Sequence, residues 1–286
     1  MKTYEEYYNL AREAAGMPTP AVDLYSFTHE IVFPDSSAAI IESIPEQYID
    51  FVKKVAKTSD HRLANDDLCY WPPGPDGISK DNDLVRFCKD FFDIDGLEEM
   101  AQILMPQIEK NLFGCNVQVQ NLYIYRNNIT DRDPRMSWLW HFDNHPYEYM
   151  KCMIYLTDVD EDSAPLEFLQ HKETKELFKH NSTRTSFKEW KAAPNNSRVS
   201  PYQMDKLKEM GFEPTKVCGP AGTVIIFNEN VIHRATTATK SHRDVVNFLI
   251  KPSIEKLSPY INKEHTGGLQ NKDMFMDPSH RGLIFK

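Results

Sequence analysis

The 286-residue chain lacks what a membrane, nucleic-acid or disulfide-scaffold protein would need. No apolar run approaches the roughly 18 residues required to span a bilayer. The opening stretch, MKTYEEYYNLAREAAG, alternates charge with aromatic residues and has no apolar core of the kind a signal peptide carries. A cytoplasmic location is therefore expected, with no membrane partner. Basic residues are in deficit, 33 Lys and Arg against 42 Asp and Glu, and the net charge of −9 argues against nucleic acid as an obligate partner, because phosphate binding needs a basic face. The five cysteines (Cys69, Cys88, Cys115, Cys152 and Cys218) are odd in number, scattered and without a CxxC pair. That spacing excludes a structural zinc site or a disulfide framework and suits reduced thiols packed near the core. Repeats and low-complexity segments are absent too.

What is present is a change of period. The first hundred residues read as helices with long connections, over Thr3 to Ala15, Glu46 to Lys57, Asn82 to Phe92 and Gly96 to Phe113. A proline-glycine loop runs from Trp71 to Gly77. From Asn116 the pattern alternates, and strands are expected over Asn116 to Tyr125, Ser137 to Phe142, Tyr149 to Thr157, Leu166 to Leu169, Thr223 to Phe227 and Val245 to Ile250. Many short strands without a βαβ rhythm predict a mainly β fold with flanking helices. Its core is a double-stranded β-helix of the jelly-roll, cupin type, with a helical N-terminal part packed on it. One domain is expected over 1–286: 1–115 as mostly helical support, 116–252 as the jelly-roll core with a lid-like insertion near 171–210, and 253–286 as a C-terminal extension. The insertion carries seven Lys or Arg against three Glu between His171 and Arg198, a local +4. It reads equally well as a binding loop or as a solvated helical face.

The chemistry concentrates in His141-Phe142-Asp143 and in His233, which stands ten residues ahead of Arg243. Alternation along a strand returns residues i and i+2 to one face, so His141 and Asp143 can grip one ion together. With His233 from a distant strand, two imidazoles and one carboxylate would hold a metal from one side, the arrangement of non-haem Fe(II) oxygenases. Arg243 opens an apolar strand, and its planar guanidinium suits the far carboxylate of an iron-chelating co-substrate. His145 is a weaker candidate, because Pro146 places it in a turn and an i, i+4 pair would need a helix. His29, His61, His180, His265 and His280 have no spaced partner and read as structural.

In three ordered blocks the chain resembles the phytanoyl-CoA dioxygenase family of Fe(II)/2-oxoglutarate oxygenases. These are His141-Phe142-Asp143, the segment from Met153 to Leu166 with its acidic turn, and His233 with Arg243 and the strand ending Lys251-Pro252. The match spans roughly Val117 to Pro252. Departures are Ser163-Ala164 for Asn-Gly, Gln170-His171-Lys172 for Pro-Gly-Ser-His, Ala235 for a small hydroxyl residue and Met153 for an aromatic one. The resemblance implies an enzyme using Fe(II), 2-oxoglutarate and O2, with His141, Asp143 and His233 as metal ligands and Arg243 on the co-substrate. Tyr125 and Arg126, on opposite faces of one strand, are alternatives for a second 2-oxoglutarate contact. Trp71, Trp138 and Trp140 are candidates to wall the pocket. The implied reaction hydroxylates an unactivated C–H bond of a small molecule, anionic or carrier-linked, releasing succinate and CO2. Because residue 143 is a carboxylate, halogenation is disfavoured. The rival readings are a cupin-like metal or metabolite binder without oxygen chemistry, and a zinc-dependent hydrolase.

Overall fold

The computed structural model describes residues 4–70, 84–134, 136–143, 145–179 and 198–268. Among them a seven-stranded antiparallel sheet faces a three-stranded one. The large sheet runs β1 (His29–Val32), β8 (Val224–Asn228), β5 (Met150–Tyr155), β10 (Arg243–Ser253), β4 (Asn116–Asn127), β3 (Val85–Cys88), β2 (Cys69–Tyr70). The small sheet is β7 (Phe212–Val217), β6 (Leu166–His171), β9 (His233–Ala235). Two facing antiparallel sheets with helices on one side make the jelly-roll core and helical support that the sequence predicts.

Pleating decides what each face of the large sheet does. On β10, Val246, Phe248 and Ile250 join Cys152 and Ile154 of β5 in one buried cluster. The helices α1 (Tyr4–Ala15), α2 (Gln47–Leu63) and α3 (Leu97–Ile108) contribute to that cluster through Ala11, Val52, Val55, Met100, Leu104 and others. The alternate residues of the same strands, Arg243, Asn247 and Leu249 with Lys151 and Met153, line a cavity on the opposite face. Strand β10 is buried along its whole length, which explains why apolar residues dominate on both of its faces between Val245 and Ile250. Phe248 is fully buried, so Phe248→Ala is expected to cost about 3–5 kcal/mol of stability, read from the denaturant midpoint.

Two local expectations need correction. Asn82 to Phe92, read as a helix, instead contains β3 in its described part, with Val85, Arg86 and Phe87 paired to Asn127, Arg126 and Tyr125. Leu84, Val85, Cys88, Phe91 and Phe92 fit a helical face as well as a strand, and pairing to the edge of β4 prevails. Ser137 to Phe142 is not a strand. A 3-10 turn covers Met136–Trp138, and His141 makes only isolated bridges, to His233 and Arg198. Its Trp-Leu-Trp run imitates a strand because both tryptophans are buried from a loop. Strands β1, β7 and β9 are too short or too polar to show an apolar alternation. In the insertion near 171–210, helix α4 (Pro201–Glu209) is opened by a capping box between Ser200 and Gln203; the loop at 71–77 and residues 180–197 of the insertion, with Arg184, lie outside the described residues.

Candidate metal centre and its cavity

His141 and His233 are brought together by backbone before side chains. The amide of each donates to the carbonyl of the other, at 3.0 and 2.9 Å. Asp143 is anchored by its own amide, which donates to the Glu229 carbonyl at 2.9 Å. One ligand atom from each of His141, Asp143 and His233 then lies within 4.8 Å of the others. The rings stand with centroids 4.4 Å apart.

The protonation pattern leaves the centre rich in lone pairs. His141 Nδ1 sits 2.8 Å from the Leu139 carbonyl and His233 Nδ1 sits 2.9 Å from the Val231 carbonyl. A carbonyl only accepts, so each Nδ1 carries a proton, and in a neutral ring of this tautomer Nε2 is left bare. Burial, followed by His233 and against the pull of Asp143, pushes His141 down to about 3, so its ring is neutral at physiological pH. The bare Nε2 atoms face Asp143 oxygens at 3.6 and 3.4 Å. Burial raises the Asp143 carboxyl, but the Lys151 ammonium outweighs it, holding it well below the usual carboxylate range. With both rings in that tautomer three acceptors converge, an arrangement that a cation resolves, and the backbone-tethered imidazoles are oriented as metal ligands usually are.

The centre opens into a cavity of about 430 Å³. At one end lies Arg243, only 1% exposed. With its amide oxygen turned toward the guanidinium, Asn127 accepts from Nε at 2.9 Å and from Nη2 at 2.5 Å. The Tyr155 ring lies 5.6 Å away, while Nη1 makes no hydrogen bond. A buried guanidinium with one unmet donor on a cavity wall fits a carboxylate. Tyr125 lines the cavity, as do Tyr123, Trp138, Met153 and Ala235. Arg126 does not: it points to the other face, where Asp244 and Asp60 hold it at 2.7 and 2.6 Å. Of the two alternatives for a second co-substrate contact, Arg126 is thus placed away from the site by the pleat.

The other sequence candidates lie outside the cluster of His141, Asp143 and His233. His145 lines the cavity, with its Nδ1 3.1 Å from Glu229. Trp140 stacks under the Arg234 guanidinium at 4.5 Å. From the basic insertion, Lys172 pairs with Glu213 at 3.3 Å and Lys179 binds the Phe27 carbonyl at 3.1 Å. Sequence reasoning missed Lys151, Glu229, Asn127 and Asn247, all on the cavity wall. Lys151 had a signal, as the one charge within the apolar run Met150 to Tyr155.

Fold and site together describe a jelly-roll protein whose two sheets enclose a convergent two-histidine, one-aspartate centre. The family model for phytanoyl-CoA dioxygenase matches residues 81–245, more than half of the chain, and the chain belongs to that family. It is by that membership an enzyme of the oxygenase type, and Fe(II), 2-oxoglutarate and O2 are the family's standard set. Among solved structures, the chain is similar to the epimerase SnoN in complex with Fe3+, alpha ketoglutarate and nogalamycin RO, at 12% identity, covering 80% of each chain with a TM-score of 0.52. It is also similar to EctD from S. alaskensis, at 13% identity, covering 86% of this chain and 85% of that one with a TM-score of 0.49. No curated protein matches the chain significantly. Among the described residues no helix is long and apolar enough to cross a membrane.

Proposed function

We propose that this chain is an Fe(II)- and 2-oxoglutarate-dependent dioxygenase that hydroxylates an unactivated C–H bond of a small molecule, as a single unit over residues 1–286. The observation that carries the reading is the pairing of two features in one cavity: a lone-pair-rich triad and a buried arginine with an unmet donor. A metal binder or a zinc hydrolase needs the first and has no use for the second.

His141, Asp143 and His233 would hold the iron, and Arg243 the far carboxylate of 2-oxoglutarate. Bound iron and co-substrate supply the oxidation, in which O2 is spent, 2-oxoglutarate leaves as succinate and CO2, and one oxygen atom enters the substrate. The protein's own part is positioning and electrostatics. The Leu139 and Val231 carbonyls keep both imidazoles turned with Nε2 inward. Asn127 fixes the guanidinium plane, so its remaining edge is aimed without further ordering. Tyr125, Met153, Leu166 and Phe227 wall the space between metal site and arginine and keep bulk water from it.

Anaerobic addition of Fe(II) and 2-oxoglutarate to the metal-free protein tests this. The expected result is a weak metal-to-ligand charge-transfer band in the visible, lost when pyruvate replaces 2-oxoglutarate at equal concentration. No band with either keto acid would leave the binding-protein or zinc-hydrolase reading standing.

A further inference from the structure

Lys151 is in an unfavourable place for an ammonium, an inward-facing position at the middle of a buried sheet, where an unpaired charge is costly. Its Nζ lies 2.5 Å from Asp143 Oδ2 and 3.5 Å from Glu229 Oε1, with the Phe227 ring 5.8 Å away. Glu229 is only 1% exposed and meets His145 through its other oxygen at 3.1 Å. The turn carrying Glu229 is stitched to the loop carrying Asp143. Asn228 donates to the Tyr147 carbonyl at 3.0 Å and Asn230 to the His145 carbonyl at 2.9 Å. Two carboxylates therefore share one ammonium in a rigid frame, and the Asp143 oxygen facing His141, Oδ1, accepts no hydrogen bond from it.

We propose that Lys151 and Glu229 are positioning residues that set how Asp143 meets the metal: Lys151 keeps Oδ2, so that Oδ1 alone is offered, and Glu229 cancels the charge that would otherwise repel the ion. The inference rests on the metal reading above. A carboxylate ligating through one oxygen would leave room at the ion for keto acid and O2 together, whereas one ligating through both would leave room for the keto acid alone.

The two residues thus have effects of opposite sign on metal affinity, which a merely structural role would not produce. Glu229→Gln leaves an ammonium uncompensated beside the ion and is expected to weaken Mn(II) binding about 10- to 100-fold, by electron paramagnetic resonance of the free ion. Lys151→Met removes a cation and frees Oδ2, so Mn(II) binds as tightly as in wild type or tighter. It should keep the anaerobic charge-transfer band, yet lose 2-oxoglutarate-dependent O2 uptake, and Lys151→Arg should restore uptake. Lys151→Met with Glu229→Gln removes both charges, keeps the net charge of the site as in wild type if the single variant folds poorly, and is expected to bind Mn(II) near wild-type affinity without O2 uptake. Equal weakening of Mn(II) binding by both single variants, or wild-type O2 uptake in Lys151→Met or in the double variant, would overturn the proposal. Wild-type protein that bound no Mn(II) would instead remove the metal reading on which it stands.

Discussion

His233→Ala is expected to bring 2-oxoglutarate turnover down to the metal-free background while leaving the fold intact. The side chain lies at the start of a three-residue strand whose backbone pairing to His141 does not depend on the imidazole. What is lost is one of the three atoms proposed to hold the ion. His141→Ala and Asp143→Ala are expected to do the same, with a difference in the second: Lys151 then keeps Glu229 as its one carboxylate partner among the described residues. Thermal melts with and without Mn(II) separate ligand loss from unfolding. An ion that binds only the folded state adds about 2.7 kcal/mol at a hundred times its Kd, so wild type should melt higher with Mn(II) and the triad variants should not. Retained turnover in any of the three would remove that residue from the ligand set.

How much of this was legible beforehand depends on whether the signal was local. His141, Asp143, His233 and Arg243 stand at characteristic spacings, and strands such as Met150–Tyr155 and Arg243–Ser253 carry apolar runs that only a buried sheet explains. The expectation that strand alternation puts His141 and Asp143 on one face does not hold locally, although the two do converge with His233. Both lie in a loop, and hydrogen bonds to residues 229 and 233, distant in the sequence, place them. Such bonds join positions some ninety residues apart and leave no periodic trace. The same holds for Glu229, which reads as one polar residue of an Asn-Glu-Asn turn until the fold buries it against Lys151 and His145. Arg126 shows the converse. Its sequence neighbourhood suited the cavity, but the face on which it lies is set by register, and Asp244, its partner across β4 and β10, claims it. The rest of the seven-strand order, in which β1 joins β8 and β2 lies beyond β3, is a property of tertiary pairing alone.

Arg243→Ala is expected to raise the 2-oxoglutarate KM steeply with little change in metal affinity. The guanidinium is buried, pinned on two nitrogens by Asn127, and left with a free donor on the cavity wall. Removing one partner of a buried, hydrogen-bonded charge pair costs about 2–5 kcal/mol, which is roughly thirty- to several-thousand-fold in affinity. The substrate side of the comparison makes the assignment specific. Pyruvate has the same keto acid and no far carboxylate, so wild type should bind it far more weakly than 2-oxoglutarate. In Arg243→Ala that preference should collapse, because nothing remains to read the second carboxylate. Arg243→Lys keeps the charge but loses the fixed fork and the Asn127 clamp, and should fall between the two. Asn127→Ala should weaken 2-oxoglutarate binding less than Arg243→Ala, by freeing the guanidinium to rotate while leaving its charge in place. A variant at Arg243 that still preferred 2-oxoglutarate over pyruvate by the wild-type factor would move the co-substrate to another part of the cavity and leave the unmet donor of this arginine without a role.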